Sequence, residues 1–194
     1  MAMTLFKRDT RHYTYGDYLT WSDGPDSELI GGAIYVREPA PVPSHQTIVI
    51  ELGRQAANAL EQTPCRVFVA PVDVLLPKST EADDQIDTVV QPDVLIVSDL
   101  QMIDGRRIRG APDWIAEVLS PNTARYDRTV KLRAYERAGV GEAWLVHPTD
   151  RTVTIYRLEE RHYGRASVLE LKGQTLLTAV PGVTIDWDRV LAKV

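Results

Sequence analysis

Cysteine and long apolar runs are almost absent from this sequence. Its 194 residues include one cysteine, Cys65, which excludes an intrachain disulfide and a zinc site built from several cysteines. We expect Cys65 to be a reduced residue of the core. No apolar run approaches the roughly 20 residues of a membrane span, and the N-terminal residues lack the apolar centre of a signal peptide. These absences predict a soluble, cytoplasmic protein without a membrane partner.

Motifs of several common enzyme classes are also absent. The chain has no internal repeat, glycine-rich nucleotide loop, paired-histidine zinc motif or Gly-x-Ser-x-Gly turn. An excess of positive charge is missing too, because the formal net charge is -5. This balance argues against a nonspecific coat on nucleic acid, but it is compatible with a metal-dependent nuclease whose basic groups form a rim. Arg106, Arg107 and Arg109 are one local basic cluster, for which a solvated turn is the favoured interpretation.

The apolar content is sufficient for a substantial core. Hydrophobic residues make up 44% of the chain, and its length suits one compact domain better than two. We therefore expect a single domain over residues 1–194. The run 29–36 predicts a β-hairpin with a Gly31–Gly32 turn, and Ser44 is a good N-cap for a helix that ends near Gln62.

Two apolar runs each carry a carboxylate where burial is expected. Residues 91–97 and 113–120 have the composition of strands, and they contain Asp93 and Glu117. Both faces of the second run are mainly apolar, as in a central strand that is covered on both sides. An ionised carboxylate in such a strand is costly unless a cation or hydrogen bonds compensate it. Two acids on neighbouring strands would form a site for a divalent cation.

The predicted helix that follows directs a lysine toward its apolar side. At 100° per residue, Lys131 lies in the middle of a face made mainly of small and aromatic residues. A lysine there should have a partner, and Glu117 on the preceding strand is the simplest candidate. Alternatively, Asp127 and Lys131 form a surface pair of about 0.3–0.5 kcal/mol, and the helical wheel alone does not favour either interpretation. The expected helix boundaries are a cap at Asn122 or Thr123 and an end at Gly139.

These segments together resemble the Uma-two family of endonucleases, which was long known only as a bacterial domain of unknown function. The resemblance rests first on residues 91–97, 110–121 and 138–148, and on Asp127, Lys131 and Tyr135 between them. It extends to residues 13–18, 28–36 and 43–46, and so covers most of the chain. The combination is specific, although each piece by itself is weak.

The resemblance implies a fold and an activity. The family is placed in the PD-(D/E)xK superfamily, which implies an α/β (α+β) fold with a restriction-endonuclease-like core. A central mixed sheet would be flanked by helices, with an N-terminal β-hairpin and a C-terminal β-rich extension that serves as a scaffold or forms a dimer. The implied activity is metal-dependent hydrolysis of phosphodiester bonds in nucleic acid, with DNA favoured and a homodimer expected.

The resemblance also implies roles for individual residues. Asp93 and Glu117 would hold the metal, and oxygen ligands without a cysteine or histidine cluster favour Mg²⁺ or Mn²⁺ over zinc. Lys131 would orient the attacking water or stabilise developing charge. The chain departs from the superfamily pattern at Leu119, where lysine usually stands two residues after the glutamate. Lys131 is therefore interpreted as a relocated catalytic lysine.

Three further residues are predicted to support the site. Glu28 would border the metal, although a charge exposed at a strand end is the ordinary interpretation of such a residue. His45 would support another residue or contact the substrate, where a lone histidine is more often a structural hydrogen-bonding residue. Asp127 accompanies Lys131 in the family pattern.

Two other functional classes are compatible with the sequence. The chain could be a nucleic-acid-binding or regulatory relative that keeps the fold without hydrolysis. It could also be a homodimeric interaction module whose buried acids are structural. Metal-dependent cleavage distinguishes the enzyme from both.

Overall fold

The computed structural model describes residues 10–21, 27–36, 42–120 and 126–194. Its helical elements are α1 (Tyr15–Tyr18), α2 (Pro43–Ala59), 3-10 turns at Asp83–Gln85 and Leu100–Met102, a π-helical segment at Asp127–Lys131, α3 (Leu132–Ala138) and α4 (Trp187–Leu191). Its strands are β1 (Ser27–Ile30), β2 (Ala33–Val36), β3 (Arg66–Val69), β4 (Val74–Leu75), β5 (Val89–Val90), β6 (Val94–Val97), β7 (Ile108–Arg109), β8 (Trp114–Val118), β9 (Glu142–His147), β10 (Thr152–Glu159), β11 (His162–Tyr163), β12 (Ser167–Glu170), β13 (Gln174–Leu176) and β14 (Thr184–Asp186).

The largest sheet is mixed and contains both acid-bearing runs. Its strand order is β11-β10-β9-β8-β6-β3, with β12 paired to β10. Strand β8 runs parallel to β9 and antiparallel to β6, and all residues of these three strands are buried. Val94 pairs with Ala116, so one further step of that register sets Asp93 opposite Glu117. The expected central strand is therefore confirmed.

Each face of this sheet packs against a different layer. Helix α2 and the C-terminal elements cover one face, where Trp114 and Trp144 meet edge to face and Trp187 packs beside Trp144. The apolar residues of α2 that point inward are Ile48, Leu52 and Ala56. The helix over residues 126–138 covers the other face, on which Ile115 and the side chain of Glu117 lie, because side chains alternate along a strand.

A smaller sheet brings the N-terminal hairpin to the same region. Its order is β2-β1-β5-β4-β7. The predicted hairpin is confirmed, and Gly31 and Gly32 have φ values of 57° and 74°, as a type I′ turn requires. At the far edge, Arg107 and Arg109 are ion-paired with Asp83 while Arg106 is exposed, so the solvated turn that the sequence favoured describes Arg106 alone.

Helix ends differ partly from the sequence prediction. Helix α2 begins at Pro43, and its N-cap residue is Val42, which makes no side-chain capping hydrogen bond. The predicted Ser44 cap is therefore wrong. Gly139 ends α3 with a φ of 92°, as predicted, because a left-handed residue suits that position. The predicted caps Asn122 and Thr123 lie outside the described residues. In the described residues, no helix is long and apolar enough to cross a membrane.

Candidate active site

Charged side chains from four segments meet above β8. The Lys131 Nζ atom lies 2.7 Å from Glu117 Oε1 and 3.0 Å from Glu28 Oε1. Asp93 stands beside Glu117 at the start of β6. All four are nearly inaccessible, with exposed fractions of 1% for Lys131, 2% for Glu117, 4% for Glu28 and 7% for Asp93. The structure therefore brings together the three residues predicted as catalytic, and their catalytic role stays a prediction.

Asp93 is held as an ionised carboxylate at the end of the cluster. Its Oδ2 accepts a hydrogen bond from the Val118 backbone N–H at 2.8 Å and contacts His45 Nε2 at 3.2 Å. Burial alone would raise the pKa of Asp93. The hydrogen bond and charge of His45, with the charge of Lys131, outweigh burial, and the net shift of the pKa is downward. His45 thus lies where it can orient Asp93 from the first turn of α2.

Glu117 is the deepest acid, and its electrostatic environment differs. Tyr135 donates a short hydrogen bond to the Oε1 atom that also faces Lys131. Burial, together with the nearby charges of Asp93 and Asp127, raises the pKa of Glu117 to about 8 against the opposing effect of Lys131. Burial therefore favours the protonated form of Glu117.

Glu28 enters the site from the N-terminal hairpin. Its Oε1 accepts a hydrogen bond from the Gln91 backbone N–H at 2.6 Å, and its Oε2 accepts one from the Tyr126 hydroxyl at 3.0 Å. The ordinary interpretation of Glu28 as an exposed strand-end charge is wrong, because the hairpin packs this end of β1 against residues 89–91. Glu28 and Glu117 both face the buried ammonium group of Lys131.

A π-helical segment carries Lys131 into the cluster. The Leu132 N–H bonds to the carbonyl of Asp127, five residues back, and so widens the turn that precedes α3. Asp127 and Lys131 are both buried, with exposed fractions of 5% and 1%. The alternative of a surface pair between them is therefore wrong. Asp127 acts on the site through its charge beside Glu117.

The chain matches the model of a known protein family. A model of the Uma2 family, described as "Putative restriction endonuclease", matches residues 15–188. The chain belongs to the Uma2 family. Family membership supports a nuclease function in general. No protein among the curated ones matches the chain.

A solved structure shares the fold. It is described as "Crystal structure of a putative nuclease belonging to DUF820" from Anabaena variabilis, and it aligns with a TM-score of 0.72 at 20% sequence identity. The match covers 92% of this chain and 97% of that one. The predicted fold class is therefore confirmed.

The acids of this Uma2 family member suit a hard divalent cation. Within the described ranges, every hydrogen bond and ion pair of Asp93 uses Oδ2, and every one of Glu117 uses Oε1. One oxygen of each carboxylate is thus left for another ligand. No group of three His, Cys, Asp or Glu side chains forms a metal cage in the described part of the chain. Mg²⁺ commonly uses one or two carboxylates and completes its shell with water and substrate phosphates, so two acids fit it.

Sequence reasoning missed several residues that hold these acids in place. Tyr126 and Tyr135 received no role, although Tyr135 follows Lys131 by four residues on the same helical face. Gln91 was also missed: its N–H binds Glu28 and its carbonyl lies 3.4 Å from Lys131 Nζ. The Gln91 amide is held in turn by Asp73 at 2.9 Å. The helical spacing was a usable signal for Tyr135 alone.

Proposed function

We propose that this protein is a Mg²⁺- or Mn²⁺-dependent endonuclease that hydrolyses phosphodiester bonds of nucleic acid, with DNA as the favoured substrate. One observation carries the proposal. The buried amine of Lys131 lies 2.7 Å from the Glu117 carboxylate, and Asp93 lies opposite Glu117 on the neighbouring strand. The family description supports the same class of reaction.

Asp93 and Glu117 would hold the cation through the carboxylate oxygens that the protein leaves unused. When bound, the cation supplies stabilisation of charge on a phosphoryl oxygen and a lower pKa for the attacking water. His45 and the Val118 N–H keep Asp93 ionised and oriented. Tyr135 fixes the Oε1 atom of Glu117.

Lys131 would stabilise charge in the transition state. Its ammonium group has three donors, and two of them are directed to Glu117 and Glu28 in this structure. Glu28 restrains the ammonium position from the opposite side. A preorganised cation in a site that excludes water stabilises developing negative charge more strongly than it would in solvent.

Neutral replacements of similar shape test the three catalytic assignments. Asp93→Asn, Glu117→Gln and Lys131→Met should each lower kcat/KM for a mixed DNA and RNA substrate by roughly 100-fold or more. The measurement is cleavage during a Mg²⁺ and Mn²⁺ titration. Thermal unfolding of each variant shows whether it folds.

Matched controls are available on the surface. Glu61→Gln and Lys172→Met remove the same charges from exposed positions and should leave cleavage unchanged. Wild-type activity in all three site variants would remove the assignment. Binding of nucleic acid by the wild type without metal-dependent cleavage would support the regulatory alternative.

We also propose that the protein is a homodimer, as the C-terminal strands suggested. Strand β12 pairs with β10 on one side, and within the described ranges it has no strand on the other. Val168 and Leu169 on this edge are exposed. Edge strands with apolar side chains favour pairing with a second chain.

A further inference from the structure

A polar pocket lies beside the proposed catalytic cluster, on the same face of the large sheet. It has a volume of about 300 Å³. Leu145 is one of its apolar lining residues, and its polar wall includes Arg128, His147, Thr152 and Thr154. Neither the catalytic cluster nor the core uses these polar groups. The pocket is near the lower end of the size range of small-ligand sites.

The register places this pocket next to Glu117. Leu145 on β9 pairs directly with Glu117 on β8, so their side chains share a face about 4.8 Å apart in the direction across the strands. His147 follows two residues later on the same face, roughly 7 Å along the strand. A nucleic-acid strand that presents a phosphodiester at Glu117 would therefore carry a neighbouring phosphate over the pocket.

Arg128 is oriented by an ordered chain of hydrogen bonds. One guanidinium N–H donates to His147 Nδ1 at 2.6 Å, and His147 Nε2 contacts the Thr154 hydroxyl at 3.1 Å. Because Nδ1 accepts, Nε2 must carry the proton and donate to Thr154. Burial and the charge of Arg128 lower the pKa of His147, which keeps the imidazole neutral and able to accept.

Among the described residues, no carboxylate forms an ion pair with Arg128. Other arginines in the described ranges, such as Arg54, Arg107 and Arg189, face carboxylates within 4 Å. Arg128 binds a neutral acceptor instead and uses one of its five donors for it. An exposed, preoriented guanidinium with free donors is suited to a phosphate, which it can bind through two parallel hydrogen bonds.

We propose that the pocket holds the backbone phosphate adjacent to the scissile phosphodiester, with the Arg128 guanidinium as its charged contact. This proposal rests on the proposed nuclease function. Thr152 and Thr154 provide hydroxyl donors in the same wall. Asp150 lines the pocket as well, and its exposed carboxylate would repel the phosphate. The two charges thus give variants with opposite expected effects.

Binding measured against salt tests the contact. A short fluorescent DNA duplex is titrated with Ca²⁺ in place of Mg²⁺ to prevent cleavage. Arg128→Ala should weaken binding about 10-fold or more, as expected for a charged hydrogen bond. It should also reduce the slope of log K against log salt by about 0.9, the value for one duplex phosphate contact. Arg128→Lys should keep most of the salt slope and lose affinity, because lysine lacks the planar fork.

Two control variants fix the interpretation. Arg133→Ala removes the same charge from an exposed position of α3 outside the pocket, and it should change the affinity by no more than about twofold. Asp150→Asn should strengthen binding. A series of duplexes with one uncharged methylphosphonate each should contain a position, next to the cleaved bond, that weakens wild-type binding and leaves the Arg128→Ala variant unaffected.

The outcomes separate this inference from the proposed function. If Arg128→Ala and Arg133→Ala behave alike while the wild type cleaves with metal, the phosphate contact is wrong and the nuclease function stands. A second outcome is that an abasic substitution in the duplex abolishes the difference in affinity between the wild type and Arg128→Ala, while no methylphosphonate does so. The pocket then binds a base, and the phosphate contact is again wrong. A wild-type protein that neither binds nor cleaves nucleic acid would overturn both proposals.

Discussion

Two carboxylates that stand side by side in the sheet have opposite pKa shifts. Both are buried, and burial disfavours the charged form of each. For Asp93, the contacts with His45 and a backbone N–H stabilise the charged form more than burial destabilises it, so its pKa is lowered. For Glu117, the stabilisation of the charged form is weaker than the effect of burial, because Lys131 is shared with Glu28 and other acids lie near Glu117. Under the proposed function, a cation bound by this pair would release a proton from Glu117.

The raised pKa of Glu117 predicts a pH-dependent stability of the metal-free protein. The folded-state pKa is about 8, against an ordinary value of 4.5. The folded chain holds a proton that the unfolded chain has lost over this interval, so the free energy of unfolding should fall as the pH rises from about 4.5 to about 8. Urea unfolding in EDTA across this range measures it. Mg²⁺ should restore stability at the upper end.

Glu117→Gln is the matched variant, because it is neutral at every pH. Over the same pH range, its free energy of unfolding should change less with pH than that of the wild type. The lowered pKa of Asp93 has the opposite effect on stability. Its contribution to the free energy of unfolding is lost as the pH falls through its folded-state pKa. That loss lies below its ordinary value of 3.8 and so outside the window. Parallel curves for wild type and Glu117→Gln would contradict the protonated state.

One buried acid contributes to the attachment of the C-terminal segment to the central sheet. Glu142 at the start of β9 is fully buried. It accepts hydrogen bonds from the backbone N–H groups of Thr178 and Ala179, at 2.7 and 2.9 Å, and from the Trp144 indole at 2.6 Å. The extension that the sequence predicted as a scaffold or dimer-forming element is thus bound by the same strand that lines the polar pocket.

Removal of this acid should weaken the attachment. Glu142→Ala leaves three donors without their acceptor, so it should lower the free energy of unfolding by about 2–4 kcal/mol. Chemical denaturation measures the change. Glu170→Ala, an exposed position on β12, should change it by less than about 0.5 kcal/mol. Equal effects of the two substitutions would show that Glu142 does not anchor the extension.

The candidate site lies where the two larger sheets and a helix meet. Glu28 comes from the hairpin sheet, Asp93 and Glu117 from the central sheet, and Lys131 from the π-helical segment. This convergence ties the N-terminal hairpin to the central residues, and the single domain over residues 1–194 stays a prediction. It also places the Glu117 side chain on the face opposite to the tryptophan cluster.

The proposed homodimer makes a prediction about the mass in solution. Sedimentation equilibrium should give twice the 21.7 kDa of the chain. Leu169→Lys should shift the equilibrium toward the monomer, because a charge on an edge strand opposes pairing with a second strand. Glu170→Lys is the control on the same strand. A monomeric wild type at micromolar concentration would refute the homodimer.

Local pattern was enough to predict the elements that carry the site. Apolar runs of strand composition identified β6 and β8, and the position of an acid in each identified Asp93 and Glu117 as unusual. The helical wheel put Lys131 on the apolar side of its helix, but it favoured a buried partner and a surface pair with Asp127 equally. The Gly31–Gly32 turn and the end of α3 at Gly139 follow from the same short-range chemistry.

Long-range packing determined the rest. Glu28 and Tyr126 are 98 residues apart in sequence and meet only because the hairpin docks against the helix over the sheet. The sequence favoured an exposed Glu28 and left Lys131 undecided between the site and the surface, because periodicity reports which face is buried and not which partner stands there. Strand register set Asp93 beside Glu117, and the surroundings of each acid set its charge. Local sequence thus determined which residues are unusual, and tertiary contacts determined what each of them binds.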